Sequence, residues 1–269
     1  MREGYSRLRA AGSETYSLDT QLLLAHALNA DRLHVLTYAG GVPEDRADLF
    51  FGYIEQRERH KPVQYITNYC EFFGLGLYVD ENVLIPRADT EILVEETLKC
   101  LKKGDRALEI GAGSGAVSIA LKKNADAVVH AVDVCPNALC VAQKNADTHG
   151  ASICLFLSDI FSNVTDSYNI IVSNPPYIKN DEELPESVRY EPKKALYGGA
   201  DGLRFYREIT ENAGGRLAKG GVLLFEIGAS QAAEVSELLT KNNFVNIQVA
   251  QDLSGLDRVV KAQKGNTNV

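Results

Sequence analysis

Ala107-Leu-Glu-Ile-Gly111-Ala-Gly113-Ser-Gly115 carries an apolar strand pattern into closely spaced glycines, and a helical pattern follows from Ser114 to Lys123. Glycines let the backbone turn sharply and approach a ligand closely, so strand, glycine turn and helix in this order open a nucleotide-binding βαβ unit. Outward from this stretch the rhythm persists. Val128–Asp133 reads as a second strand, Pro136–Thr148 as a helix with proline in its first turn, and Ile153–Ser158 and Ile170–Ser173 as further strands. Gly202–Leu217 reads as a helix, Val222–Ile227 as a strand, Gln231–Leu239 as a helix, and Val245–Val249 with Arg258–Ala262 as a closing antiparallel pair. Alternating strands and helices at this spacing predict an α/β fold with a doubly wound, Rossmann-like sheet, whose ligands sit at the carboxyl ends of its strands.

Upstream the pattern changes. Leu22, Leu23, Leu24, Ala27 and Leu28 follow Ser17 at helical spacing, and Ala47, Phe50, Phe51 and Ile54 form one face of a helix over 44–60 that has Pro43 at its start. Residues 1–70 are therefore expected to form a small helical-bundle domain. Glu71–Val79 and Asn82–Pro86, separated by Asp80-Glu81, read as a β-hairpin that links it, across residues 71–88, to a catalytic domain over 89–269.

Composition narrows the function. The 269 residues carry 28 Lys+Arg against 36 Asp+Glu, a formal net charge of −8, which disfavours free nucleic acid or an anionic membrane as partner. Hydrophobic residues at 45% and charged residues at 24% supply an ordinary globular core. No run reaches the roughly 18 apolar residues of a membrane span, and Met1–Ala10 lacks an apolar signal core. Cys70, Cys100, Cys135, Cys140 and Cys154 form no CxxC pair, as expected of reduced thiols in the cytoplasm. No metal is expected. A frayed polar tail is expected near Gly265–Val269.

The glycine loop admits two cofactors. Gly111, Gly113 and Ala116 satisfy the relaxed G-x-G-x-x-G/A dinucleotide pattern, which allows NAD. Glu109 favours S-adenosylmethionine (SAM) instead, because a carboxylate there pairs with the methionine ammonium and repels a pyrophosphate. Gly111, Ala112, Gly113, Ser114 and Gly115 would then cradle the cofactor, and Asp133, about 20 residues on, would accept from the ribose hydroxyls. Asp159 follows the third strand and suits an adenine amino group, with Ile160 packing beside the ring; the plainer alternative for Asp159 is a turn cap.

Ile170-Ile-Val-Ser-Asn174-Pro175-Pro176-Tyr177 supplies the chemistry. Each proline fixes φ and pushes the residue before it toward an extended conformation, holding Asn174 and the Pro175 carbonyl rigidly at a strand end. Both can accept from an NH₂ group whose lone pair is delocalised, and so aim its nitrogen at a methyl group. Pro176 completes the turn and Tyr177 would form an aromatic wall. Sulfonium methyl transfer is downhill, so alignment suffices and no strong base is needed.

The chain resembles the HemK/PrmC family over nearly its full length. The residues that carry the resemblance are Gln64-Tyr-Ile66, Glu71-Phe-Phe-Gly74, Val83-Leu-Ile-Pro-Arg87 with Asp89-Thr-Glu91, the glycine loop, Asn174-Pro-Pro-Tyr-Ile178, Glu191-Pro192 with Ala195-Leu196, Gly199–Leu203 with Tyr206-Arg207, and Asp257-Arg258. The resemblance implies SAM-dependent transfer to the glutamine amide nitrogen of the Gly-Gly-Gln motif in peptide chain release factors. It implies SAM at Gly111–Gly115 and Asp133, with Ile160 packing on adenine and Asn174 near the cofactor, and substrate glutamine at Asn174–Tyr177. Arg87 would approach that pocket, unless it pairs with Asp89 or Glu91. The helical domain would grip the release factor, and the enzyme is expected to be a monomer. Three positions depart from the family: Ile160 where an aromatic is common, Asn68 where Gly is usual, and Ala88 where Pro is usual. The remaining alternative is an adenine N6 or guanine N2 methyltransferase of nucleic acid, which shares the Asn-Pro-Pro-Tyr turn.

Overall fold

The computed structural model describes residues 1–37 and 40–265; the tail beyond Gly265 lies outside the described residues. The chain divides into two compact units, Met1–Tyr69 with Leu184–Tyr190, and Cys70–Glu183 with Glu191–Val269.

The first unit contains α1 (Arg2–Ala10), α2 (Tyr16–Leu28), α3 (Arg32–Thr37), α4 (Glu44–Glu58) and α5 (Val63–Thr67). Leu8, Leu23, Phe50 and Ile54 are fully buried in its core. Inside it Arg57 pairs with the buried Asp19 at 2.8 Å. Asn68 closes α5 at φ +51, a left-handed position that asparagine tolerates better than other side chains. From the later segment, Tyr190 donates to the Arg59 carbonyl at 2.6 Å and Glu186 meets His60 at 2.8 Å.

The second unit begins with the hairpin β1 (Cys70–Phe72) and β2 (Leu75–Leu77), followed by α6 (Asp89–Cys100). The hairpin differs from expectation. Its turn is Phe73-Gly74, both at positive φ as a two-residue primed turn requires, rather than Asp80-Glu81. Asp80 instead accepts from the Asn82 N–H at 3.0 Å, and Asn82–Pro86 is not a strand.

Next come β3 (Arg106–Ile110), α7 (Ala116–Asn124), β4 (Val128–Asp133), α8 (Pro136–His149), β5 (Cys154–Leu157) and β6 (Tyr168–Ser173). The unit ends with α9 (Arg204–Ala213), β7 (Leu217–Glu226), α10 (Ala232–Lys241), β8 (Phe244–Gln251) and β9 (Asp257–Lys264). Two helices start later than the sequence pattern suggests, for one reason. Gly115 at φ +80 and Gly202 at φ +75 cannot be helical, so α7 waits for Ala116 and α9 for Arg204. Gly214-Gly215 then stop α9 early and leave Leu217 free to open β7.

The sheet order is β5-β4-β3-β6-β7-β9-β8. All neighbours are parallel except β9, which runs antiparallel to β7 and β8. The chain winds outward from β3 through β4 and β5, then returns to the other side of β3 as β6. That reversal is the switch point where a doubly wound sheet opens a crevice. Leu108, Ile171, Leu223 and Phe225 bury one face of the sheet, and Val172, Leu224 and Val259 the other, against Leu93 and Val94 of α6.

Candidate active site

The crevice is a cavity of about 300 Å³. The β3–β6 register builds it. Ile110 lies opposite Ser173, and the Ser173 hydroxyl donates to the Ile110 carbonyl at 2.7 Å. The next residue on each strand, Gly111 on one and Asn174 on the other, therefore enters the same space.

On the β3 side the cavity is lined by Glu109, Gly111, Ala112, Gly113 and Ser114, with Asp133 from β4. Gly111 at φ +82 and Gly113 at φ +52 have nothing within 4 Å of where a Cβ would stand. The loop thus leaves room for a ligand to reach its backbone. The Gly111 and Ala112 N–H groups donate to the Val132 carbonyl at 2.8 and 2.9 Å, which ties the loop to β4. Asp133 accepts from the Gly113 N–H at 2.9 Å and from the Cys135 N–H at 2.8 Å. Its carboxylate is thereby held at the rim with lone pairs to spare for hydroxyl donors.

Glu109 is 4% exposed. It accepts from the Ser118 N–H at 3.0 Å and from the Ser118 hydroxyl, both on α7. Burial pushes its carboxyl up to about 8, against the pull of the Ser118 hydrogen bonds. A cation arriving beside it would restore the ionised form. Two carboxylates on one wall, Glu109 and Asp133, fit a cationic ligand with hydroxyls; a pyrophosphate there would meet like charge.

Gly115 corrects expectation: it does not line the cavity. It caps α7, and a Cβ there would come within 3.2 Å of Ala142 on α8, so its role is helix packing.

At the end of β5, Ser158, Asp159 and Ile160 line the cavity. The Asp159 backbone N–H donates to Ser162 Oγ at 3.0 Å, so Ser162 supplies the side chain that braces this turn, and the Asp159 side chain is exposed. Ile160 stands at φ +48, a rare conformation for a β-branched residue. The Ser158 hydroxyl donates to the Ile160 carbonyl at 3.0 Å and holds the turn there. Phe205 of α9 also lines the cavity and brings the aromatic face that Ile160 lacks.

On the β6 side Asn174, Pro175 and Pro176 line the cavity. Tyr177 does not line it: it is partly buried against the core, its carbonyl accepts from Gln231, and burial pushes its phenol, which has Arg87 and Arg258 nearby, up to about 12. Arg87 does line the cavity, but pairs neither with Asp89 nor with Glu91. Its partner is Glu191, a 4%-exposed residue that also accepts from the Ile85 N–H at 3.0 Å. Asp89 pairs with Arg258 at 3.1 Å, and Glu91 accepts from the Phe73 N–H at 2.7 Å.

Several residues at or beside the cavity carry little local sequence signal for a site role. Thr90, Phe205 and Lys193-Lys194 line the cavity, and Glu226 is buried behind Asn174. The signal for Glu226 is a single charge at the end of the apolar run Val222-Leu-Leu-Phe.

Two family models match the chain, PrmC N-terminal domain over residues 1–67 and Methyltransferase small domain over residues 88–190. The release factor glutamine methyltransferase of Clostridium acetobutylicum is 38% identical, over 98% of this chain and 96% of its own. That of Geobacter sulfurreducens is 42% identical, over 96% and 93%. The chain belongs to the release factor glutamine methyltransferase family. Among solved structures, the T. thermophilus 16S rRNA N2 G1207 methyltransferase in complex with AdoMet and guanosine matches with TM-score 0.56 at 20% identity, over 73% of this chain and 49% of that one. That likeness speaks for the shared fold. SAM is the methyl donor of such an enzyme, which removes the NAD alternative left open by the glycine pattern. Among the described residues no helix is long and apolar enough to cross a membrane.

Proposed function

We propose that this enzyme transfers the methyl group of SAM to the side-chain amide nitrogen (N5) of the glutamine in the Gly-Gly-Gln motif of peptide chain release factors. The single observation that carries the reading is the β3–β6 register, which seats Asn174-Pro175 beside the glycine loop in one cavity. When bound, the sulfonium supplies an electrophilic methyl group. Gly111–Ser114, Glu109 and Asp133 hold the donor, with Asp159, Ile160 and Phe205 at its adenine. Asn174 Oδ1 and the Pro175 carbonyl accept one N–H each from the substrate amide and turn its nitrogen toward the methyl. Once alkylated, that nitrogen is acidic enough to release its proton without a strong base. Arg87, held by Glu191, borders the same pocket.

In this reading residues 1–70 grip the release factor away from the glutamine, residues 71–88 connect, and 89–269 perform the transfer. The enzyme is proposed to work as a cytoplasmic monomer on protein, without direct nucleic-acid binding. The net charge of −8 supports a protein partner. Lys193 and Lys194 at the cavity are the local counter-argument, and they define the competing arm of the test.

The test offers labelled SAM with a release factor, or with RNA and DNA of equal concentration. Label should enter the release factor alone, at the glutamine; transfer to nucleic acid alone would overturn the reading. Asn174→Ala should keep SAM binding and lose on the order of 10²-fold in transfer, the scale of losing one positioning hydrogen-bond partner.

A further inference from the structure

Glu226 is 2% exposed, and its Oε2 has no hydrogen-bond partner among the described residues. An ionisable side chain is rarely left so deep and so poorly satisfied without a reason in the site beside it. The strand register says what stands beside it. Ser173 of β6 pairs with Phe225 of β7, so Glu226 ends β7 next to Asn174. Phe225 faces the core on one side of the sheet, whereas Leu224 faces the other side, under α6. Side chains alternate along a strand, so Glu226 shares the Leu224 face, and Asn174 shares the face of Val172. The first turn of α6 lies over that face and contributes Thr90, which is 5% exposed and lines the cavity.

Asn174 Nδ2 donates to Thr90 Oγ1 at 3.2 Å. Having accepted there, the Thr90 hydroxyl keeps its own proton to give, and the Glu226 carboxyl stands close enough to feel both Thr90 and Asn174. Thr90 and Asn174 both draw the Glu226 carboxyl down, against burial and Asp89, which leave it at about 7. Arg258 is near but is already engaged by Asp89 at 3.1 Å and Asp252 at 2.9 Å, so among the described residues Glu226 has no dedicated cation. A simple structural ion pair therefore does not account for it.

We infer that Glu226, acting through Thr90, is a positioning residue that fixes the rotation of the Asn174 amide. The NH₂ end of Asn174 is turned back toward Thr90 and Glu226, and Oδ1 is left to face the substrate nitrogen. The two ends of an asparagine amide are nearly the same shape, so without acceptors behind it the group could present NH₂ to the substrate and repel the very donor it must hold. Above about pH 7, where Glu226 is ionised, its charge also polarises both hydrogen bonds and makes Oδ1 the stronger acceptor. The inference rests on the methyl-transfer reading for its kinetic readout, and so a second readout needs no substrate.

The experiment compares wild type with Glu226→Gln, Thr90→Val, Thr90→Ser and the Glu226→Gln/Thr90→Val double variant. Transfer to the release factor should fall about tenfold in kcat for Glu226→Gln and for Thr90→Val, the scale of one charge-assisted hydrogen bond. SAM affinity should stay within about twofold, Thr90→Ser should keep most of the activity, and the double variant should be no worse than the poorer single. The substrate-free readout is the side-chain NH₂ resonance pair of Asn174 in ¹⁵N spectra, assigned by its loss in Asn174→Asp. It should shift in Glu226→Gln and Thr90→Val and hold its place in Thr90→Ser. Full kcat in both single variants, multiplied losses in the double variant, or an unmoved Asn174 resonance would overturn the inference. A wild type that methylates no release factor would overturn the functional reading instead, while the resonance test still decides this one.

Discussion

Glu109 and Glu226 are the same residue type in the same kind of place, and they meet opposite surroundings. Each is a buried carboxyl near the carboxyl end of a core strand, β3 for one and β7 for the other. Glu109 receives two hydrogen bonds from Ser118 and lines the cavity; Glu226 Oε2 has no partner among the described residues, and Glu226 ends β7 beside Asn174. Burial pushes the first to about 8 and the second to about 7. The difference separates two uses of a buried charge at one switch point. Glu109 can answer a cation directly, whereas Glu226 can act on the substrate only through the side chains in front of it.

The largest effect the pair predicts concerns stability. Both carboxyls keep their protons in the folded, ligand-free chain at pH values where the unfolded chain has already lost them. The unfolded state then binds fewer protons, so stability falls as pH rises. The contribution is complete below the usual glutamate value of about 4.3 and is gone above about 8. Over that window the two groups together should remove several kcal/mol, on the order of one to a few for each. Urea midpoints at pH 5 and pH 8.5 measure it. Glu109→Gln and Glu226→Gln should each flatten the dependence, and both together should flatten it most. A pH dependence that neither Glu109→Gln nor Glu226→Gln changes would show that these carboxyls are ionised throughout.

The two glutamates were not equally legible in the sequence. Glu109 stands within the strand–glycine stretch, so chain order alone puts it at the cavity it lines. The same holds for Gly111, Asp133 and Asn174, because each immediately follows or ends a strand, and for Gly113 in the turn that follows β3. Glu226 is joined to Asn174 only by the β6–β7 register, which no local pattern encodes. Glu191 likewise meets Arg87 from far along the chain, while the nearer acids Asp89 and Glu91 are taken by Arg258 and the hairpin backbone. Tyr177 and Gly115 show the converse limit. Each belongs to a motif that does line the cavity, yet neither lines it: Tyr177 packs against the edge of the core with Arg87 and Arg258 near its phenol, and Gly115 packs against α8.

Ligand affinity should split the pair next. Glu109→Gln keeps the shape and removes the charge, so SAM should bind on the order of 10²-fold more weakly, as expected when one partner of a buried charge pair is neutralised. Glu226→Gln should leave SAM affinity within about twofold. Calorimetry in buffers of different ionisation enthalpy adds a second measure. At pH 7 the wild type should release a proton on binding as Glu109 ionises, and Glu109→Gln should not. Equal weakening in both variants would erase the distinction between a carboxyl that meets the ligand and one that stands behind the site.

Ser118 offers the finest test, because it touches Glu109 without touching the cavity. Ser118→Ala removes the hydroxyl donor, while the backbone N–H at 3.0 Å stays. With one hydrogen bond fewer, the Glu109 carboxyl should rise further, and more of the binding energy is then needed to ionise it at neutral pH. SAM affinity at pH 7 should fall by only about threefold, a loss well inside one neutral hydrogen bond. The deficit should shrink at pH 9, where the solvent has done most of the ionising. Stability at pH 5 should hold, since Glu109 is protonated there and alanine is the better helix former within α7. A loss as large as that of Glu109→Gln, or one that does not change with pH, would mean that Ser118 places the Glu109 side chain rather than tuning its charge.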